Sequence, residues 1–155
     1  MSGLAPAHPL ATVSAVRFTP YVPRVLLRQL AENPSARVQQ VEGTLVFADV
    51  SGFTRLSERL ARKGREGAEQ LSDTISDCFS ALLEVAYDNG GSLIKFGGDA
   101  VLLLFEGDGH ALRGCHSAAG MRRLLRSVGR IRLDGGGVRL SMSVGVHSGL
   151  FHLFL

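Results

Sequence analysis

The pattern of apolar and polar positions changes character near residue 43. Before that point lie all 5 prolines of the chain, and one apolar stretch, 25–30, lies between Pro23 and Pro34. Proline is excluded from helix interiors and favours extended chain around it. The pattern therefore predicts a leader over residues 1–40 that carries one short helix, followed by a folded domain over residues 41–155.

The folded region alternates between strand-like and helix-like segments. Four segments have the β-branched, apolar or alternating pattern that is typical of strands, namely 44–50, 92–96, 100–105 and 138–147. Three segments have the apolar spacing of three or four residues that is typical of helices, namely 54–63, 66–88 and 109–130. A final apolar run, 151–155, predicts an exposed strand or an uncovered edge.

The order of these segments predicts an α+β fold. It reads strand, helix, helix, strand, strand, helix, strand, with the second and third strands joined through Gly97-Gly98-Asp99 as a hairpin. This is a ferredoxin-like β-α-β-β-α-β plan, in which helices cover an antiparallel sheet and the first crossover is split between two helices.

Composition and charge exclude several classes of protein. The 155 residues are 45% hydrophobic, which excludes a disordered chain, and no apolar run approaches the length of a spanning helix. The N-terminus lacks the pattern of a secretory signal, and 2 cysteines are too few for a disulfide framework, so we expect a cytoplasmic protein without membrane contact. The net charge of +3 is spread along the chain, and Arg122, Arg123, Arg126 and Arg130 at helical spacing predict a solvated face, not a nucleic-acid site.

Two aspartates stand where the predicted topology brings strand ends together. Asp49 lies near the end of the first strand, and Asp99 lies at the tip of the hairpin that should pair beside it. Two close carboxylates repel each other unless a cation lies between them. Oxygen ligands suit Mg²⁺ or Mn²⁺, and a pair of such ions is a known arrangement for phosphoryl transfer.

A turn next to Asp49 supplies a second part of the candidate site. Gly52 allows the chain to turn sharply, and a helix is expected to begin near Thr54, so its first N–H groups are free to bind an anion. Each residue also has an ordinary structural explanation: a strand end for Asp49, a hairpin for Asp99, or a solvated amine for Lys95. Their order and spacing together favour a site for a metal and a triphosphate.

Two segments carry a resemblance to a known family. Phe47-Ala48-Asp49-Val50-Ser51-Gly52-Phe53-Thr54 and Lys95-Phe96-Gly97-Gly98-Asp99-Ala100 resemble the class III nucleotidyl cyclase catalytic domain, most closely its bicarbonate-responsive soluble adenylyl cyclase branch. The resemblance implies that Asp49 and Asp99 hold two Mg²⁺ or Mn²⁺ ions, with the Val50 carbonyl as a further ligand. It also implies that the N–H groups of Gly52, Phe53 and Thr54 bind the phosphates.

The same resemblance implies an activity and a partner. Lys95 matches the lysine that reads the adenine, which implies ATP as the substrate. The site would form in a homodimer, or in a heterodimer with another cyclase domain, and would release cyclic AMP and pyrophosphate for intracellular signalling. In an asymmetric pair the resemblance allows Lys95 a different role, lining a pocket for regulatory bicarbonate.

The resemblance also leaves an alternative open. Beyond Gly149 the family continues to a second base-reading residue and to an Asn and Arg pair that stabilises the transition state, and this chain stops before them. We therefore expect little or no turnover by these residues alone. The alternative is a C-terminally incomplete, inactive module that pairs with another cyclase domain, or a non-functional remnant.

Two other classes are disfavoured. A diguanylate cyclase has a similar Gly-Gly-acidic hairpin, but there the hairpin continues into an acidic residue and Phe, whereas Ala100 and Val101 follow Asp99 here. A nucleic-acid module built on the arginine-rich helix would need an aromatic platform, and none accompanies those arginines.

Overall fold

The computed structural model describes residues 23–133 and 136–154. Its helices are α1 (Arg24–Glu32), α2 (Phe53–Ala61), α3 (Gly64–Asp88) and α4 (His110–Val128). Its strands are β1 (Val38–Ser51), β2 (Gly91–Gly97), β3 (Ala100–Glu106), β4 (Arg130–Leu133), β5 (Gly136–Arg139) and β6 (Ser141–Phe154).

The main sheet has four strands in the order β2-β3-β1-β6, and every neighbouring pair is antiparallel. The ferredoxin-like β-α-β-β-α-β plan is therefore confirmed, including the crossover split between α2 and α3. β1 lies between two partners: it pairs with β6 along its whole length and with β3 from Gly43 to Asp49. The end of β1 is thus fixed from both sides.

One face of the sheet carries the main core. Side chains alternate between the two faces of a strand, and Val46, Ala48 and Val50 of β1 are fully buried on the helix side. They pack with residues of the helices and of β3, such as Leu82 and Phe105. Removal of this apolar surface from water is the main force that holds the helices on the sheet.

The opposite face is only partly covered. At one end, Val25 of α1 packs with Val41 and Leu104, and the Arg28 guanidinium forms an ion pair with Glu106 at 2.6 Å. The hydrogen bond to Glu106 raises the pKa of Arg28 above its ordinary value. At the other end Phe47 is 48% exposed. We call this second region, with Phe47, Asp49, Lys95 and Leu102, the open face.

The structure corrects the predicted strand near the C-terminus. A single strand over 138–147 is wrong, because β5 ends at Arg139 and β6 begins at Ser141. Between them the Leu140 N–H donates to the Gly129 carbonyl at 2.8 Å, which redirects the chain out of the small β4–β5 sheet. β6 then continues to Phe154, so the apolar run from 151 is the end of an edge strand, with Phe154 77% exposed.

The remaining boundaries differ less. The helix predicted between Pro23 and Pro34 is α1, and β1 starts at Val38, six residues before the predicted strand. The first part of the predicted leader, 1–22, lies outside the described residues, as do residues 134–135 and residue 155. The division into a leader over 1–40 and a domain over 41–155 stays a prediction.

None of the helices within 23–133 and 136–154 combines the length and the apolar character needed to cross a bilayer. The longest, α3, has 25 residues but carries acidic side chains along its length, among them Glu66, Asp73 and Glu84.

Candidate functional site

The backbone brings Asp49 and Asp99 to one rim of the sheet. Asp49 is the Cα partner of Ala100 in the β1–β3 ladder, and the Val50 N–H donates to the Asp99 carbonyl at 3.0 Å. Asp49 is partly buried and lies on the open face, because its neighbours Ala48 and Val50 point into the core. Asp99 is exposed at the hairpin tip. The strand pairing thus brings the backbones of Asp49 and Asp99 close together, as the sequence predicts.

The hairpin that carries Asp99 depends on a glycine. Gly97 and Ala100 are paired, so Gly98 and Asp99 form a two-residue loop between β2 and β3. Gly98 has φ +70° at the first central position, where hairpin turns of this length favour glycine. A tight loop leaves Asp99 little room to move away from the end of β1.

The turn after β1 provides a set of free backbone donors. Gly52 precedes α2 with φ +112°, and no side chain caps this helix end. The first intrahelical bond runs from the Leu56 N–H to the Gly52 carbonyl, so the N–H groups of Phe53, Thr54 and Arg55 have no acceptor within the helix. Such a helix start is suited to bind phosphate oxygens.

An aromatic row connects the two loops of the site. Phe79 of α3 contacts Phe53 with ring centroids 5.8 Å apart, and it contacts Phe96 edge-on at 5.6 Å. Phe53 follows Gly52, and Phe96 precedes the hairpin of Asp99, so Phe79 ties both loops to one helix. Sequence reasoning placed Phe79 only in the apolar stripe of a helix, and no local signal identifies its two ring partners.

Lys95 is on the same face but is not adjacent to the aspartates. It is exposed on β2 and shares a row across the sheet with Leu102 and Phe47. Two strand spacings and one two-residue step separate its Cα from that of Asp49, which amounts to about 12 Å. Within one chain, therefore, Asp49, Asp99 and the Gly52 turn come together, whereas Lys95 lies further along the open face.

The carboxylate and carbonyl oxygens at the rim suit a divalent cation whose remaining ligands come from the phosphates of a nucleotide. Within 23–133 and 136–154, no group of three or more His, Cys, Asp or Glu side chains could hold a metal ion. Mg²⁺ is commonly held by one or two carboxylates together with substrate phosphates, not by a complete protein cage. Asp49, Asp99 and the nearby Val50 carbonyl provide such an oxygen-only set.

Gly52 is expected to tolerate no side chain. A Cβ there would lie 3.0 Å from the Arg139 carbonyl oxygen, and the positive φ is itself unfavourable for other residues. We expect Gly52→Ala to lower the free energy of unfolding by about 1–3 kcal/mol, measured by urea denaturation. Gly145→Ala is the control, since its added Cβ would meet no atom within 4 Å. Equal stability losses in the two variants would contradict this account of the turn.

Comparisons with known proteins identify the family. The model of the family described as adenylate and guanylate cyclase catalytic domain matches residues 35–153. Adenylate cyclase type 10 of Rattus norvegicus is 40% identical over 77 residues, which cover 48% of this chain and 5% of that protein. Adenylate cyclase 1 of Rhizobium meliloti (strain 1021) is 27% identical over 139 residues, covering 85% of this chain and 20% of that protein.

A solved structure agrees with the fold. The crystal structure of the adenylyl cyclase CyaB from P. aeruginosa has a TM-score of 0.61 and 24% identity to this chain, and the match covers 76% of this chain and 60% of that one. The chain spans only a small part of the curated relatives named above, 5% and 20% of their lengths. With the family match over 35–153, the chain belongs to the adenylate and guanylate cyclase catalytic domain family, the class III nucleotidyl cyclases.

Proposed function

We propose that this domain converts ATP into cyclic AMP and pyrophosphate at the rim formed by Asp49, Asp99 and the Gly52 turn. The observation that supports this most directly is the pairing of Asp49 with Ala100, together with the Val50–Asp99 backbone bond. Both lie next to the uncapped start of α2, so carboxylates and phosphate-binding amides belong to one site. Two similar proteins are named adenylate cyclases, and this supports the proposal of ATP, not GTP, as the substrate of this domain.

In the proposed reaction, Asp49 and Asp99 would hold two Mg²⁺ or Mn²⁺ ions, with the Val50 carbonyl as a further ligand. Such ions neutralise phosphate charge and favour ionisation of a bound hydroxyl. The N–H groups of Gly52, Phe53 and Thr54 bind the phosphates and orient the α-phosphorus. The ribose 3′-oxygen forms a bond to that phosphorus, the bond to the β-phosphate oxygen breaks, pyrophosphate leaves, and the hydroxyl proton passes to solvent.

We further propose that the site is completed across a dimer, either by a second copy or by another cyclase domain. The Cα atom of Lys95 lies about 12 Å from that of Asp49 on the same open face. When two domains face each other across this surface, the amine of Lys95 in one domain could contact the adenine of the nucleotide bound to the other. Phe47, 48% exposed beside Asp49, is the apolar side chain that such a partner would cover. In an asymmetric pair, Lys95 would instead line a pocket for bicarbonate.

A second candidate function is a module that binds the nucleotide without turning it over. Opposite Asp49 and Phe47, β6 presents only Ser143 and Gly145. The resemblance to the family implies an asparagine that stabilises the transition state. The asparagines of the described residues, Asn33 and Asn89, lie toward the other end of the sheet. The loss of a preorganised transition-state donor commonly costs about 10²–10³ in rate. Such a module would pair with a complete cyclase domain that supplies these donors.

Product analysis separates ATP from GTP as the substrate. With Mn²⁺ and either nucleotide, we expect cyclic AMP to form in preference to cyclic GMP. Lys95→Ala should reduce the ATP-to-GTP ratio of kcat/KM by about tenfold or more, because a hydrogen bond from a charged donor to the base is lost. Lys63→Ala, which changes the other lysine of the chain, is the control. Equal use of both nucleotides by the wild type would overturn the assignment of ATP.

The same assay separates the two candidate functions. A catalytic domain forms cyclic AMP alone at high protein concentration. A pairing module forms none, yet binds Mn²⁺-ATP and changes the activity of a complete homologous cyclase when the two are mixed. Absence of both turnover and nucleotide binding would contradict both candidates.

A further inference from the structure

A strongly basic cavity lies beside the Gly52 turn, and neither Asp49 nor Asp99 lines it. It is formed between α2 and β5, has a volume of about 430 Å³, and is lined by Arg55, Arg59, Arg62 and Arg139 together with one acidic residue, Glu58. We call these four arginines and the space between them the arginine cleft. Arg55 and Arg59 of α2 and Arg62, which follows the last residue of α2, lie along one stripe, while Leu56 and Leu60 on another stripe enter the core.

The charges of the arginine cleft are poorly compensated. In the part of the chain that the structure describes, none of the four guanidinium groups is in an ion pair with a carboxylate. Arg59 has only a long contact, from Nη1 to the Gly137 carbonyl at 3.5 Å. Arg55 and Arg59 are four residues apart on one helix, where like charges destabilise. A concave surface with one sign of charge concentrates its potential and attracts counter-ions.

The small β4–β5 sheet adds to this concentration of charge. Arg130 and Arg139 are direct partners in its register, and like charges directly opposite each other destabilise a pair of strands. Arg139 also lines a second cavity, of about 190 Å³, with Arg122 and Arg126. A side chain at Gly136 would approach the Arg59 guanidinium at 3.4 Å, so the glycine leaves room for it. The fold thus gathers arginines from three elements around Arg139.

We infer that the arginine cleft binds a small oligophosphate anion, a diphosphate or triphosphate group, at a site separate from the Asp49–Asp99 rim. Arginine is suited to this ligand because its planar guanidinium donates two parallel hydrogen bonds to phosphate oxygens. Among the described residues, no aromatic side chain lines either cavity, so the described lining offers no surface on which a base could stack. The phosphates, not the base, are therefore what the cleft recognises.

The cleft is in direct contact with the turn of the proposed active site. Arg139 contributes its side chain to the cleft, and its carbonyl oxygen lies 3.0 Å from where a Cβ of Gly52 would be. An anion that holds the Arg139 side chain in one position would therefore also stabilise the Arg139 backbone next to Gly52. Binding to the cleft does not require the proposed catalytic function, because neither Asp49 nor Asp99 takes part in it.

Calorimetry with inorganic triphosphate tests the inference. The titration is done with the full chain in EDTA, so that binding cannot depend on a divalent metal. We expect saturable binding by the wild type, weakened at least about tenfold in Arg59→Gln and in Arg139→Gln, because each removes a charge-assisted bidentate contact. If circular dichroism shows that Arg139→Gln does not fold, the double variant Arg55→Gln/Arg62→Gln replaces it. We expect the double variant to bind triphosphate more weakly as well.

Matched controls separate a built site from general charge attraction. Arg65→Gln removes the same charge from a side chain that is 94% exposed and pairs with Glu69 outside the cleft, and we expect unchanged binding. Asp49→Asn should also leave it unchanged, so a failure of the proposed cyclase function would not affect this result. No binding by the wild type, or equal weakening by Arg65→Gln, would overturn the inference.

Two further titrations identify the source of the phosphates. If ATP in EDTA binds as tightly as inorganic triphosphate, the ligand is the phosphate chain of a nucleotide. If inorganic triphosphate binds more tightly, the ligand is the free anion. In either case, Arg59→Gln and Arg139→Gln must lower the affinity for the ligand. Binding to vesicles of anionic phospholipid without any binding of triphosphate would instead show a membrane surface and overturn the inference.

Discussion

Replacement of Asp49 by asparagine is expected to lower Mn²⁺-dependent formation of cyclic AMP by about 10²-fold or more, the scale seen when a group that stabilises transition-state charge is lost. The substitution keeps the size of the side chain but removes its negative charge. Asp49 is only partly buried, and its place in β1 is fixed by backbone pairing with Ala100 and Ser143, so the fold should persist. Asp99→Asn should have an effect of the same order.

Asp73→Asn is the control for this prediction, since Asp73 is exposed on α3 outside the site. If the chain alone has no measurable turnover, calorimetric binding of Mn²⁺-ATP provides the readout, and Asp49→Asn should weaken it while Asp73→Asn does not. Wild-type activity and binding in both Asp49→Asn and Asp99→Asn would show that the rim is not the cation site.

The largest effect on stability is expected at Phe105. Its side chain is fully buried near the end of β3, where it belongs to the main core cluster with residues of the helices and of β1. Phe105→Ala should lower the free energy of unfolding by about 3–5 kcal/mol, through lost burial and the cavity that remains. Phe154→Ala removes the same ring where it is 77% exposed, and we expect a change within about 0.5 kcal/mol. Urea denaturation measures both.

Gly91 provides a sharper test of the packing around Phe105. The two residues are cross-strand partners, and a Cβ at Gly91 would lie 2.7 Å from the ring and 2.9 Å from the Ala86 carbonyl. Gly91→Ala should therefore destabilise the wild type, and less so a Phe105→Leu background, with a coupling of about 0.5–3 kcal/mol. Additive effects would contradict direct packing of the ring over this glycine.

The sequence was sufficient to predict the sheet and the rim because both depend on strong local signals. The β-branched run of β1, the Gly97-Gly98 hairpin and the helical stripe of α3 each have one favoured structure. Their order leaves few topologies, and the ferredoxin-like one places Asp49 beside the Asp99 hairpin. The β1–β3 register agrees with this placement, because Asp49 is the Cα partner of Ala100, the residue after Asp99.

The parts that could not be predicted depend on contacts between distant segments. β4 has only four residues, in which arginine alternates with an apolar residue, and this is too short a run to predict its pairing with β5 or the interruption at Leu140. The arginine cleft joins Arg59 of α2 to Arg139 of β5, residues that no motif connects. The row of Phe53, Phe79 and Phe96 likewise exists only after the helices pack on the sheet.

Electron paramagnetic resonance of bound Mn²⁺ tests the central claim most directly. The titration is done with an ATP analogue that cannot be cyclised, because a methylene group replaces the oxygen between its α- and β-phosphorus atoms, so that the result does not depend on turnover. The account predicts Mn²⁺ bound by wild-type protein, with weaker binding in Asp49→Asn and in Asp99→Asn and unchanged binding in Asp73→Asn. Wild-type Mn²⁺ affinity in either rim variant would contradict a cation site shared by the two aspartates.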